Sequence, residues 1–150
     1  MRLELDPPRG VGDLQIGMTI DRAEWILGEF PGFVPPAPGE RRNKGFAHYE
    51  SEMSISLDFD SRGIVRAVEV FRPERGVEVV FGGISVFQEP AESVIERLAG
   101  SFRLEIEDGG LNVAAPDVFI GFWRSLLPMG SDDEEGRYFE SVLVAAPGYG

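Results

Sequence analysis

Cysteine is absent from this chain of 150 residues. Its absence removes disulfides, thiol nucleophiles and zinc–thiolate sites together, and agrees with a reducing compartment. Histidine and lysine occur once each, as His48 and Lys44. A Ser-His-Asp arrangement therefore has one candidate base, and no nucleophile-elbow motif surrounds a serine. Basic residues in general are scarce: 14 Lys and Arg stand against 26 Asp and Glu, a net charge of −12. A nucleic-acid-binding face must offset phosphate charge, so this balance argues against DNA or RNA as a partner. Long apolar runs are missing as well. No segment reaches the roughly 18 apolar residues of a membrane span, and Met1 to Pro8 hold no run of signal-peptide length. A cytoplasmic protein with no membrane partner is expected. The glycines form no nucleotide fingerprint: Gly82-Gly83 lacks both phosphate-cradle spacing and a lysine, and no cofactor is expected.

What is present suits one domain, 1–150, burying roughly 70% of its unfolded surface. The acidity is uneven. Residues 1–75 carry 10 basic and 13 acidic side chains, whereas residues 76–150 carry 4 and 13, so the halves hold net charges of −3 and −9. A charged partner of the second half should be basic.

The chain is organised around Gly12 to Gly28. Leu14 and Ile16 alternate with polar neighbours, Gly17 breaks the extended run, and Thr19 stands at a helix N-cap with Asp21 in the first turn. Ile20, Ala23, Ile26 and Leu27 follow at helical spacing, and Gly28 is placed for a left-handed C-cap. Before this unit, residues 2–5 alternate as a short edge strand closed by Pro7-Pro8. After it, residues 31–45 hold four prolines, three glycines and the basic cluster Arg41, Arg42 and Lys44. This composition predicts a long irregular loop, a candidate contact element.

Strands are predicted over Phe46 to Glu50, Met53 to Asp60 and Ile64 to Phe71, the last two joined by a turn at Asp60 to Gly63. Ile55, Leu57 and Phe59 should share a buried face, with Ser54, Ser56, Asp58 and Asp60 opposite. Val77 to Phe81 begins a second unit. Gly83 to Val86 echoes Gly12 to Ile16, Pro90 opens a helix with apolar Ala91, Val94, Ile95 and Leu98, and Gly100 stops it. Strands follow at 102–107, 111–115, 118–123 and 138–145, the third being the most apolar and expected centrally; Pro147 to Gly150 reads as a loose tail.

The predicted fold class is α+β: two tandem helix-plus-antiparallel-strand units, about 1–75 and 76–150, with the helices on one face of the sheet. The other face would be open. On it the alternation puts Arg103, Glu105, Glu107, Gly121 and Trp123, together with Tyr138 and Glu140 if Phe139, Ser141 and Leu143 point inward. Asp58 and Asp60 extend the surface in the first unit, with Arg66 opposite Asp58. Mixed charges and aromatics on an open sheet suit a protein contact. Asp58, Glu105, Glu107, Trp123, Tyr138 and Glu140 are the candidate protein-binding residues. No catalytic or metal-binding residue is assigned. His48 reads as a strand histidine, Asp58 and Asp60 as residues flanking a turn, and Asp132 to Glu135 as a solvated acidic loop without the ligand spacing of a calcium site.

The run Gly-x-Leu-x-Ile-Gly-Met-Thr with an acidic helix start and closing Leu-Gly, here Gly12 to Gly28, resembles the opening of helix-plus-sheet units in the SmpA/OmlA small lipoprotein family. Two such units in tandem resemble the beta-lactamase inhibitor protein family, whose concave sheet holds a target enzyme. The lipid-attachment cysteine and the disulfide pair have no counterpart in this chain. The resemblance implies a fold and a way of binding protein, not a target. The expected function is thus a non-enzymatic protein-binding module of immunity or inhibitor type that occludes a basic surface. The alternatives are a small-ligand-binding protein or enzyme with a site in the sheet concavity, and a structural homodimer.

Overall fold

The computed structural model describes residues 1–130 and 133–149. It is a mixed α+β structure dominated by sheet, with two helices and sheets of five and eight strands. In chain order the first half holds β1 (Arg2–Asp6), β2 (Gly10–Val11), β3 (Leu14–Gln15), α1 (Ile20–Glu29), β4 (Phe33–Val34), β5 (Phe46–Tyr49), β6 (Ser54–Phe59) and β7 (Val65–Phe71). The second half holds β8 (Glu78–Phe81), β9 (Ile84–Ser85), α2 (Ala91–Ala99), β10 (Glu105–Glu107), β11 (Asn112–Ala115), β12 (Ile120–Trp123) and β13 (Ser141–Ala145). The small sheet runs β3-β2-β1-β8-β9 and the large one β10-β11-β12-β13-β7-β6-β5-β4.

Every pairing in the large sheet is antiparallel, as tight turns between successive strands require. The small sheet contains one parallel pair, β1 with β8, in the register Arg2 to Glu78. Strand β1 is therefore interior, not the edge its polar alternation suggests: its partner lies some 75 residues away, beyond the reach of local pattern. Strand β12, expected centrally, is an interior strand beside the central pair β13 and β7.

One contiguous core joins Leu3, Leu5, Val11 and Leu14 of the small sheet to Ile20, Ala23, Ile26 and Leu27 of α1 and Ala91, Val94 and Leu98 of α2. The inward side chains of the large sheet complete it, among them Tyr49, Ile55, Leu57, Val68, Val70, Val113, Ile120, Phe122, Val142 and Val144. Burying each Ile or Leu contributes about 1.5–3 kcal/mol, so the helical stripes are held by the sheets rather than by propensity. The inward set on β6 ends at Leu57. A register shift between Asp58 and Phe59 turns Phe59 outward, 36% exposed, against the expected alternation. Strand β4 also corrects the reading of 31–45 as wholly irregular, because Phe33 and Val34 pair with Tyr49 and His48.

Helix α1 starts as expected, with the Thr19 hydroxyl accepting from the Arg22 backbone N–H at 3.3 Å. Its end differs. Gly28 is helical, and the chain leaves at Phe30 in an extended conformation, which the following Pro31 favours. The carbonyl of Leu27, left without a helical partner in the last turn, accepts from the Tyr49 hydroxyl at 2.6 Å. A side chain from the sheet thus does the work expected of Gly28.

Tyr49→Phe is expected to cost about 1–2 kcal/mol by leaving that carbonyl unmet. It should also change the alkaline limb of stability. Burial pushes the Tyr49 phenol upward from its ordinary range. Above about pH 10 the unfolded chain releases this proton while the folded chain keeps it, so stability falls as pH rises. Urea unfolding at a series of alkaline pH values should show a shallower fall in the variant; an unchanged slope would refute the assignment.

Candidate functional site

The strand register lines up two rows of side chains on the solvent face of the large sheet. One row reads Glu107, Asn112, Trp123, Ser141 and Phe71, then Ser54, His48 and Val34. The next reads Glu105, Ala114, Gly121, Leu143 and Glu69, then Ser56 and Phe46. In the half built from β10, β11, β12, β13 and β7, these rows enclose an open trough of about 530 Å³. Its floor is low because Ala114 and Gly121 are small, and its walls are the rings of Trp123 and Phe71. Glu69, Glu105 and Glu107 supply three carboxylates, and among the described residues no basic side chain lines it. Every lining residue comes from the one sheet, so among the described residues nothing roofs the trough.

Trp123 is 41% exposed. The Ser141 hydroxyl donates to Glu69 at 2.9 Å and orients that carboxylate. Glu105 accepts from Arg103 at 3.2 Å, while Arg103 also reaches Asp117 at 3.3 Å. Strand β13 has the opposite phase to the expected one. Ser141 and Leu143 face the trough, while Val142 and Val144 face the core. Its sequence, Ser-Val-Leu-Val-Ala, is apolar on both sides and offers alternation no phase to fix.

The six candidate residues therefore fall in three places. Glu105, Glu107 and Trp123 meet in the trough. Tyr138 lies outside it, half-buried beside the guanidinium groups of Arg72 at 4.4 Å and Arg137 at 5.7 Å from its ring centre. Glu140 accepts from the Ser125 hydroxyl at 2.7 Å and from the Ser125 backbone N–H, fixing the start of the loop after β12. Asp58 lies in the other half of the sheet and accepts from the Tyr149 hydroxyl at 2.6 Å, a bond that pushes the phenol up to about 12. That contact brings the tail, expected to be loose, back onto the sheet beside Arg66. Asp60 belongs to the hairpin turn, accepting from the backbone of Arg62 and Ile64, which holds its carboxyl below the usual range. Glu69 and Phe71, the β7 side of the trough, sequence reasoning missed, because nothing local reveals that β7 is the neighbour of β13.

No family model, curated protein or solved structure matches this chain. The reading of the site therefore rests on its own geometry. The other end of the solvent face differs from the trough. There the His48 ring nitrogen Nδ1 lies 2.9 Å from Ser54 Oγ and its ring stands edge-on to Phe46, with centres 4.7 Å apart. Arg42, from the Pro-rich loop, is largely buried in the same recess of about 320 Å³ with Val34, Glu50 and Glu52. Among the described residues Ser54 is the only hydrogen-bond partner of the His48 ring, so no carboxylate orients it as a base. The acidic run after Gly130 is used locally: Asp133 accepts from the backbone of Met129 and Glu135, and Glu134 from Arg137. Asp132 lies outside the described residues.

No described helix is long and apolar enough to cross a membrane. Among the described residues no three His, Asp or Glu side chains are grouped to hold a metal ion.

Proposed function

We propose that this chain is a non-enzymatic protein-binding module of immunity or inhibitor type, which applies the solvent face of its large sheet to a basic surface. The observation that carries the reading is the unroofed trough, where exposed Trp123 stands among Glu69, Glu105 and Glu107 and no basic side chain among the described residues lines the space. Tryptophan is enriched at interface hot spots, and a field of one sign steers an oppositely charged partner. Glu140, Tyr138 and Asp58 serve the surface as its rim. Its volume falls within the range of small-molecule sites, roughly 300–1,000 Å³, which favours the small-ligand alternative. The missing roof favours a macromolecule, because a small ligand there would keep one side in water.

The proposal includes two tandem units, 1–75 and 76–150, forming one domain. Element order supports it: β1, β2–β3, α1 and β4–β7 are matched in sequence by β8, β9, α2 and β10–β13. Under that matching the large sheet reads the same from both ends about its β7–β13 centre. The resemblance of Gly12 to Gly28 to the SmpA/OmlA units points the same way, as does the single core to which both helices contribute.

The test is capture from a lysate of the source cells, with elution in salt steps. Wild-type protein and a Trp25→Ala control, altered on an exposed helix position, should retain a basic protein that raised salt releases. Trp123→Ala should retain at least about tenfold less while staying folded. Equal retention by folded Trp123→Ala would overturn the proposal, as would no retention by wild type.

A further inference from the structure

We infer that the trough seats a short protein segment of the pattern basic–apolar–basic, its apolar side chain on the Gly121 floor and its two cations at opposite ends. The inference rests on the proposed binding function and adds what the partner must present. Strand order and register carry it. Glu105 and Glu69 occupy the same row of the sheet, on β10 and β7, with Ala114, Gly121 and Leu143 between them. Four strand spacings of about 4.8 Å set their backbones roughly 19 Å apart. Between them the row is low and uncharged; beside it stand Trp123 and Phe71. The result is a groove running across the strands, with carboxylates at both ends and an apolar middle.

Each part favours a different feature of the occupant. At one end, Glu69 accepts from Ser141 Oγ, its one side-chain hydrogen bond among the described residues, and keeps acceptor capacity. At the other, Glu107 has no hydrogen-bond or ion-pair partner among the described residues, while Glu105 shares the exposed Arg103 with Asp117. Arginine suits both ends, since its planar fork meets a carboxylate with two hydrogen bonds and its face stacks on an aromatic ring such as Trp123. An extended segment advances about 3.3 Å per residue, so two arginines four residues apart, with side chains reaching outward, span the distance between the carboxylates. A leucine midway between them points to the floor by the same twofold alternation.

Tryptophan occurs twice, as Trp25 and Trp123. The Trp25→Phe protein therefore reports emission from Trp123 alone. Titration with acetylated, amidated Arg-Ser-Leu-Ser-Arg should give a saturable change in that emission. The citrulline counterpart, of nearly the same shape without charge, should bind at least tenfold more weakly. Glu69→Gln and the double variant Glu105→Gln, Glu107→Gln should each lose at least tenfold in affinity for the arginine peptide, with folding checked by circular dichroism. No saturable change, equal binding of the citrulline peptide, or full affinity in the folded variants would overturn the inference. Tighter binding of the linear polyamine spermidine than of the peptide would overturn it in favour of a small polycation. If the peptide fails while Trp123→Ala still abolishes capture from lysate, the binding face stands and the seat is wrong. Failure of both removes the face itself.

Discussion

Replacing Arg124 by methionine is expected to destabilise the protein by about 3–5 kcal/mol, read as a lower urea midpoint with an unchanged slope. Arg124 follows β12, and its side chain is only 1% exposed, the largest of the fully buried side chains. Its guanidinium donates to the carbonyls of Gly110 at 3.0 Å and Gly136 at 2.9 Å, and to the Glu92 carboxylate at 2.9 Å. It also lies over the Phe139 ring, 5.6 Å from the centre. One cation thus fastens the β10–β11 turn, the loop before β13 and the first turn of α2 to each other. Methionine fills much of the volume but leaves the two carbonyls unmet, each at about 1–3 kcal/mol. Glu92→Gln separates the parts of this anchor. Its carboxylate is 71% exposed, so losing that ion pair should cost no more than about 1 kcal/mol. Equal losses from the two variants would show that the carboxylate, rather than the backbone acceptors, holds Arg124 in place.

Gly10→Ala should cost about 3–4 kcal/mol, although alanine is the smallest change available there. A Cβ at position 10 would lie 1.9 Å from the Leu14 carbonyl oxygen and 3.0 Å from the Gln15 Cα. Both are backbone atoms of the strand that Gly10 pairs with, so no rotamer relieves the overlap and the β2–β3 hairpin must open. Opening it withdraws Val11 and Leu14, both buried, from the core. Gly28→Ala is the natural comparison. Position 28 is helical with open space around its would-be Cβ, and alanine there should raise stability by about 0.5–1 kcal/mol. Thermal unfolding of the two variants beside wild type checks both signs, and a mild effect at position 10 would mean the hairpin adjusts.

These two glycines mark where the sequence is legible and where it is not. Local signals carried far: the Thr19 cap, the stripe Ile20, Ala23, Ile26, Leu27 and the Asp60 to Gly63 turn all reappear in the structure. So does the outward set Glu105, Glu107 and Trp123, because β10 and β12 alternate polar with apolar residues. Beyond the bulge at Phe59 and the phase of β13, what failed was non-local. Gly28 reads as a cap until Tyr49, distant in sequence, supplies the missing hydrogen bond. Gly10 carries no pattern, since its requirement is the closeness of another backbone. Nothing in the sequence around Arg124 singles it out; only the meeting of a turn, a loop and the first turn of α2 around it makes it interior.

The pairing of β13 with β7 sets a schedule for synthesis. Strand β7 ends at Phe71, but its second neighbour, Ser141–Ala145, is made only after β8 to β12 and α2 have followed. Until then the nascent chain carries an unpaired edge on β7, Val-Arg-Ala-Val-Glu-Val-Phe, and until β8 emerges β1 is open as well. Such edges are sites of wrong association between chains. The acidic second half, growing beside those edges, gives neighbouring nascent chains a charge with which to repel one another until the sheet closes.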